Sequence, residues 1–348
     1  MSDLKVSVLM SVYNGERHLR EAIVSILNQT FKDFDFIIID DGSTDISNAI
    51  IRSYDDSRIR LIENEKNIGL TRSLNKGLKL AQGEYIARMD ADDISLSKRI
   101  EKQVSFMYHN PSIGICGSWL RYFGYGKEVT FKSSSNPEEI KANLFFRNVL
   151  FHSTVIFRRK LPKGDSVFYN ENYLRAQDYE LWARISHLSN ISNISEALVK
   201  HRSHEDTIFK TDRKGQVKYG DKVKTKQIHR FGINASKENI RLHNKILNSD
   251  HSFSLESLND AGIWLLNLLQ FNNRNEIYDK NYFRGLIQYY WFLICTSSTE
   301  YGMKVYKIFN GKAYLSSRNI AWNYRLRFFL KCVLKYNSIT HKIYDHRN

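Results

Sequence analysis

The sequence predicts an α/β fold: a doubly wound, mostly parallel sheet of Rossmann-like type, followed by a mostly helical C-terminal extension. Three observations predict it. Over the first 120 residues, short apolar runs alternate regularly with segments of helical period. Those apolar runs are unbroken, as strands covered on both faces require. Past residue 215 the strand pattern gives way to amphipathic segments with little glycine and no repeat.

In order, "KVSVLMSV" is a strand, and "EAIVSILNQ" is a helix with Leu19, Ala22, Ile23, Ile26 and Leu27 on one face. "FDFIIID" is a second strand, "DISNAIIRSY" a helix and "IRLIEN" a third strand. "LTRSLNKGLKLA" sets Leu70, Leu74 and Leu78 four apart on a helix, and "EYIARM" is the fourth strand. "SKRIEKQVSFMYHN" is a helix stopped by Pro111, and "IGICGSW" is a fifth strand. This alternation builds a sheet that binds ligands beyond the carboxyl ends of its strands. After residue 120 the pattern is mixed: "NPEEIKANLFF" opens a helix with a cap and a proline, "FHSTVIFRR" reads as a strand and "AQDYELWARIS" as a helix. The chain divides on this reading into residues 1–215 and 216–348.

An apolar share of 42% in 348 residues permits a real core. The three cysteines, Cys116, Cys295 and Cys332, are far apart and form no CxxC, which speaks against a structural zinc site or a disulfide framework. "MSDLKVSVLMSVYN" runs directly into a strand pattern without a signal peptide, and "YYWFLIC" is too short to span a bilayer, so a cytoplasmic protein is expected. The formal net charge is +15, and it is uneven. From His201 onward there are 15 Lys and 10 Arg against 12 acidic residues, a net of +13 interleaved with aromatics. Such a region suits an anionic membrane surface or nucleic acid; with no recognised nucleic-acid module in view, the membrane surface is the expectation and nucleic acid is not. An ordinary solvated basic face accounts for the same composition.

Against that charge, acids and turn formers gather at the ends of the early strands: "SVYNGERHL", "IDDGSTD" and "DADD". The first loop lacks GxGxxG, so the dinucleotide-enzyme reading of "IIIDDGSTD" loses its glycines. Turn and N-cap chemistry explains Ser43, Thr44 and Asp45. It explains Asp40 less well, because Asp40 directly ends a buried run and can accept from a base N–H or ribose hydroxyls. Asp90 and Asp92 end "YIARMDAD"; on an extended strand they face one side and repel unless a cation neutralises them. Mn2+ or Mg2+ accepts such oxygens and leaves positions open for substrate phosphates, so a nucleotide diphosphate fits. Asp93 reads as a cap of the following helix. Asp178, at the start of an amphipathic helix, is either a helix-start charge or a general base, with Glu180 as its rival. In "HRSHEDT", His204 is a candidate third metal ligand, a surface histidine or a phosphate donor, and Lys200, His201 and Arg202 would add positive charge near a diphosphate.

"VSVLMSVYNGERHLREAIVSILNQTFKDFDFIIIDDGSTD" followed by "YIARMDADD" resembles the family 2 glycosyltransferases, over residues 4–120 and onward to about residue 210 through "QDYELW" and "HRSHEDTI". The resemblance implies the GT-A fold, a UDP-sugar donor, a divalent metal (Mn2+ or Mg2+) and inversion at the anomeric carbon. It implies that Val12, Tyr13, Asn14, Glu16, Asp40 or Asp41, Arg72, Asp90 and Ala91 border the nucleotide. Asp92 becomes the more direct metal ligand, with Asp90 and His204 beside it. Asp178 matches the catalytic base, although Gln177 stands where Glu is usual. The proline usual after "DADD" is absent, and Gln103 keeps the R…Q pattern. Members of this kind build O-antigen, capsule or exopolysaccharide, which implies a saccharide acceptor on a polyprenyl diphosphate and peripheral contact with the inner face of the membrane. Two rivals are a nucleotidyltransferase, which would want a glycine-rich basic loop after the first strand, and a nucleic-acid-binding module, which would leave the strand-end acids without a purpose.

Overall fold

The protein is described by a computed structural model covering residues 5–124, 128–202, 212–248, 253–316 and 320–336. The first half alternates β1 (Val6–Val12), α1 (Leu19–Leu27), β2 (Phe34–Asp40), α2 (Ser47–Arg52), β3 (Ile59–Glu63), α3 (Leu70–Leu80) and β4 (Tyr85–Asp90). Then come β5 (Ile94–Ser95), α4 (Arg99–His109), β6 (Ile113–Phe123), β7 (Val129–Phe131), α5 (Pro137–Leu144), β8 (Ile156–Arg158), α6 (Gln177–Ile185) and β9 (Asn190–Arg202). The strands form one sheet in the order β3-β2-β1-β4-β8-β6-β9-β5, with β7 on β6. β1, β2, β3 and β4 pair in parallel, as do β6 and β9, while β5, β7 and β8 run against their neighbours.

The unbroken apolar runs are covered on both faces, as their composition requires. On one face Val8, Met10, Phe36, Ile38 and Met89 join Ile23 and Ile26 of α1, Ile50 of α2 and Ile100 and Met107 of α4 in one core. On the other lies α3, whose Gly77 approaches so closely that an added Cβ would sit 2.2 Å from Leu9 Cδ1. Chain order reverses at β1: β2 and β3 lie to one side of it and β4 to the other. In open α/β sheets the crevice at such a switch, beyond the carboxyl strand ends, receives ligands.

Two elements differ from the sequence reading. "FHSTVIFRR" is a single 3-10 turn at His152–Thr154 followed by a strand of only three residues, β8. The segment after α6 is a 13-residue strand, β9, which the sequence reading did not contain. Its register on β6 is parallel and interrupted by bulges, and its end pairs with β5 through Ile94 and Lys200. A buried knot ties these strands together. Arg99, fully enclosed, donates to the carbonyls of Arg88 at 2.7 Å and Val155 at 3.2 Å and to Gln103 Oε1, and Gln103 donates to the carbonyls of Thr154 and Cys116. The R…Q spacing on α4 is thus a structural clamp across β4, β6 and the turn before β8.

Two compact units divide the chain: residues 1–144 with 148–220, and residues 145–147 with 221–348. The second is helical, with α7 (Arg213–Phe231) entering it, then α8 (Lys237–Leu247), α9 (Leu255–Asn275), α10 (Lys280–Thr296), α11 (Met303–Gly311) and α12 (Trp322–Leu334). Its centre is aromatic: Phe145, Phe146, Phe231, Tyr278 and Phe283 pack together, and the buried His243 lies against Phe145 and Phe146. Burial, with Lys224 nearby, pushes the His243 imidazole down to about 3, so it is neutral in the fold. All three cysteines are buried thiols. Among the described residues, no helix is long and apolar enough to cross a membrane.

Candidate active site

The parallel register brings the predicted strand ends together. Val12 lies opposite Asp40 on β2, and Ser11 lies opposite Asp90 on β4. The loop after β1 and the loop after β2 are stapled to each other. Asn14, held at φ 50°, donates its N–H to Ser43 Oγ at 3.0 Å and accepts from the Thr44 N–H at 2.8 Å. Gly15 N–H donates to Ser47 Oγ, Glu16 N–H donates to Asp45, and Ile46 N–H donates back to Glu16. Tyr13 projects from this braced rim with half its surface exposed. Ser43, Thr44 and Asp45 therefore cross-brace two loops, and Asp45 also accepts the Ser47 N–H at the start of α2 at 2.9 Å.

Asp40 and Asp41 are both buried. Asp40 performs the turn chemistry itself, accepting from the Ser43 N–H and from the Asn48 amide, each at 3.0 Å. Asp41 accepts from Asn64 Nδ2 and Ile68 N–H on one oxygen and from Gly69 N–H on the other, each at 2.9 Å. It thereby fixes the start of α3, the helix that carries Arg72. Gly42 between these loops has φ 73°, and a Cβ there would fall 2.6 Å from the Lys66 carbonyl carbon. Arg72 is largely exposed and 3.5 Å from Glu171. Ala91 is half-buried, with its methyl group facing Gly15.

Asp90, Asp92 and Asp93 bring ligand atoms within 4.8 Å of one another, the one cluster of this kind among the described residues. Its geometry corrects two expectations. β4 ends at Asp90, and Asp92 lies in the turn that follows, so the carboxylates converge through a turn and not through strand alternation. Asp93 is no helix cap: the residue before α4 is Lys98, and Asp93 is fully buried, accepting the Arg202 N–H at 3.1 Å and lying 2.9 Å from His201 Nδ1. The β5–β9 pairing delivers those partners. Burial alone would lower the His201 pKa, but the hydrogen bond and charge of Asp93 outweigh it and raise it to about 9. Asp90 is also answered within the chain, by an ion pair with the buried Arg88. Repulsion among the acids therefore does not by itself call for a metal. What supports one is the donor set, which is hard carboxylate oxygens gathered on one turn at a strand end, as a divalent cation of the Mg2+ or Mn2+ class accepts. Lys200 turns to Glu128 at 3.0 Å, and Arg202 donates to the Asp92 carbonyl at 3.1 Å and pairs with Glu21. His204 lies outside the described residues.

Asp178 stands on the first turn of α6, which follows Ala176 in a left-handed conformation. Asn75 of α3 fixes the approach to α6 by bonding the Tyr169 N–H and carbonyl, and Thr71 bonds the Tyr173 carbonyl. Asn148 Nδ2 donates to Asp178 Oδ2 at 2.8 Å. Burial raises the Asp178 pKa, against the opposing pull of the Tyr179 N–H, Asn148 and the Arg88 charge. The rival Glu180 is buried and paired with Arg184 at 3.3 Å.

Four residues here were not singled out from sequence: Arg88, Asn148, His152 and Tyr169. Arg88 pairs with Asp90 and lies within electrostatic reach of Asp93, Asp178, Tyr169 and His152. His152 Nε2 lies 2.7 Å from the Tyr169 hydroxyl; burial first and Arg88 second hold its pKa well below the usual histidine value. A charged residue inside the strand "YIARMD" was a visible signal for Arg88, whereas nothing in the local sequence marks Tyr169.

A model of glycosyl transferase family 2 matches residues 7–174. An uncharacterized glycosyltransferase of Haemophilus influenzae is 34% identical over 235 residues, 64% of this chain and 73% of that protein. The Escherichia coli UDP-Glc:alpha-D-GlcNAc-diphosphoundecaprenol beta-1,3-glucosyltransferase WfgD is 30% identical over 217 residues, 60% of this chain and 81% of its own. The crystal structure of S. aureus TarS 1-349 in complex with UDP-GlcNAc superposes with a TM-score of 0.55 at 18% identity, covering 93% of this chain and 92% of that one. That likeness establishes the GT-A type of fold.

Proposed function

The chain belongs to glycosyl transferase family 2, and from that membership we propose that it transfers a sugar from a UDP-sugar to an acceptor hydroxyl with inversion at the anomeric carbon. One observation carries the reading: the buried Arg88 pairs with Asp90 of the acid cluster and also acts on Asp178, so diphosphate-side and acceptor-side groups share one centre. Tyr13, Asp41 and Arg72 border the nucleotide on the braced rim. Asp92 and Asp90, with His204, would hold Mn2+ or Mg2+, which when bound would supply positive charge to the leaving diphosphate.

Asp178 takes the proton from the acceptor hydroxyl, and its raised pKa makes it a better proton acceptor than an exposed aspartate. The freed oxygen forms its bond to the anomeric carbon on the face opposite the diphosphate, and the bond from that carbon to the diphosphate oxygen breaks. One displacement inverts the configuration, and no enzymic nucleophile is needed, in contrast to the retaining scheme. Asn148 holds the Asp178 carboxylate in place, and the pair His152–Tyr169 lines the same neighbourhood.

The acceptor proposed is a saccharide on a polyprenyl diphosphate, in synthesis of a bacterial surface polysaccharide. Support comes from WfgD, whose name gives such an acceptor, and from the basic C-terminal region. An acceptor of that kind keeps the chain peripheral at the cytoplasmic face of the membrane. The test is a screen of UDP- and GDP-sugars with a polyprenyl-diphosphate-linked saccharide and divalent metal, scored by released nucleotide and by the anomeric configuration of the product. Release from a UDP-sugar that needs both metal and acceptor, with inversion, is expected. Pyrophosphate released from a nucleoside triphosphate and a sugar phosphate would make the protein a nucleotidyltransferase instead.

A further inference from the structure

We infer that the outer face of α12 is a docking surface for an anionic lipid bilayer, an inference that extends the lipid-linked acceptor reading above. α12 is apolar on two sides. One side is buried: Phe328 packs against Phe292, Tyr306 and Phe309, and Cys332 is enclosed. The other side carries Trp322, Leu326, Leu330, Val333 and Leu334, all exposed, with Trp322 at 75% and Leu334 at 72%. At about 100° per residue these five fall within an arc of roughly 120°. Single exposed leucines are ordinary on a protein surface, but a continuous stripe along a whole helix marks an interaction site.

The charges around the stripe choose the partner. Arg325 borders it on one side, and Arg327 and Lys331 on the other. From Tyr301 to Tyr344 there are nine Lys and Arg and no acidic residue. An apolar stripe with cationic margins is what a helix lying in the plane of an anionic headgroup layer needs. Trp322 at one end and the exposed Tyr336 just past the other suit the headgroup boundary. The helix has 13 residues, so at roughly 1.5 Å per residue it cannot span a bilayer but can lie along one. A second copy of the chain suits this face poorly, because a symmetric pairing would bring the same basic margins together with no acid on the helix itself to meet them. Nucleic acid would use the cations and leave the apolar stripe in water.

The test is co-sedimentation of the full chain with phosphatidylcholine vesicles, with and without phosphatidylglycerol, and it needs neither donor nor acceptor. Binding only to the anionic vesicles, weakening as salt rises, is expected. Leu326→Glu with Leu330→Glu should lower that binding at least about tenfold, and Arg327→Glu alone about fivefold or more. These positions are exposed, so the melting temperature and nucleotide release with a soluble saccharide acceptor should match the parent. Unchanged vesicle binding by the double variant would overturn the inference. So would the absence of vesicle binding together with a concentration-dependent dimer that the double variant abolishes, or with salt-sensitive binding to short duplex DNA. Vesicle binding without sugar transfer would keep the inference and remove the acceptor reading; transfer without vesicle binding would do the reverse.

Discussion

Asp178→Asn is expected to retain UDP binding and to lose transfer by about a thousandfold, the scale of a removed general base. Asn keeps the shape and can still accept from Asn148, so the loss would report the proton and not the packing. The fold itself should be unharmed. Because burial raises the Asp178 pKa in the folded state, the group favours folding at pH values below its unfolded pKa, and that contribution is lost as pH rises through the folded pKa. At neutral pH the carboxylate is therefore a cost that Asn removes, and the variant should melt at or above the parent temperature. In the parent, the acid limb of kcat/KM should lie above the usual aspartate range of about 3.9. Full transfer by the variant would assign the base elsewhere, although Glu180 is already committed to Arg184.

Asp92→Asn should cut transfer about a hundredfold or more while leaving the melting temperature within a degree or so of the parent, since metal stabilisation of a leaving diphosphate is worth several kcal/mol and the side chain is half-buried in a turn. Calorimetric titration separates the roles: parent protein should bind UDP tightly only with Mn2+ or Mg2+, and the variant should bind it at the metal-free level throughout. Equal UDP affinity with and without metal in the parent would remove the metal from the reading.

The parts of this arrangement that sequence made legible are those encoded locally. Continuous runs such as "FDFIIID", too short for a buried helix and followed by turn formers, read as strands covered on both faces, and the helices between them carry their buried stripe in four-residue steps. β9 was not legible, because "NISNISEALVKHR" mixes Asn, Ser and Glu with scattered apolar residues and owes its strand state to pairing with β6, far back in the chain. β5 has two residues and exists because β9 does. The same non-local pairing explains the misreading of Asp93. An acid just before a helix reads as a cap, whereas its partner His201 lies 108 residues away. Arg88 was visible as a charge inside an apolar strand, but what it neutralises depends on how far β4 extends and how the following turn folds.

The pairing of Asp90 with Arg88 and of Asp93 with His201 bears on how the molecule lives between turnovers. With His201 protonated at neutral pH, two of the three carboxylates are already balanced by cations built into the sheet. Those cations offset part of the cluster's charge, so its hold on a divalent ion would lean on the charge of a diphosphate beside it. The resting protein should accordingly stay folded under chelation, and the ion should arrive and depart with the nucleotide as a shuttling companion rather than remain as a permanent part of the architecture.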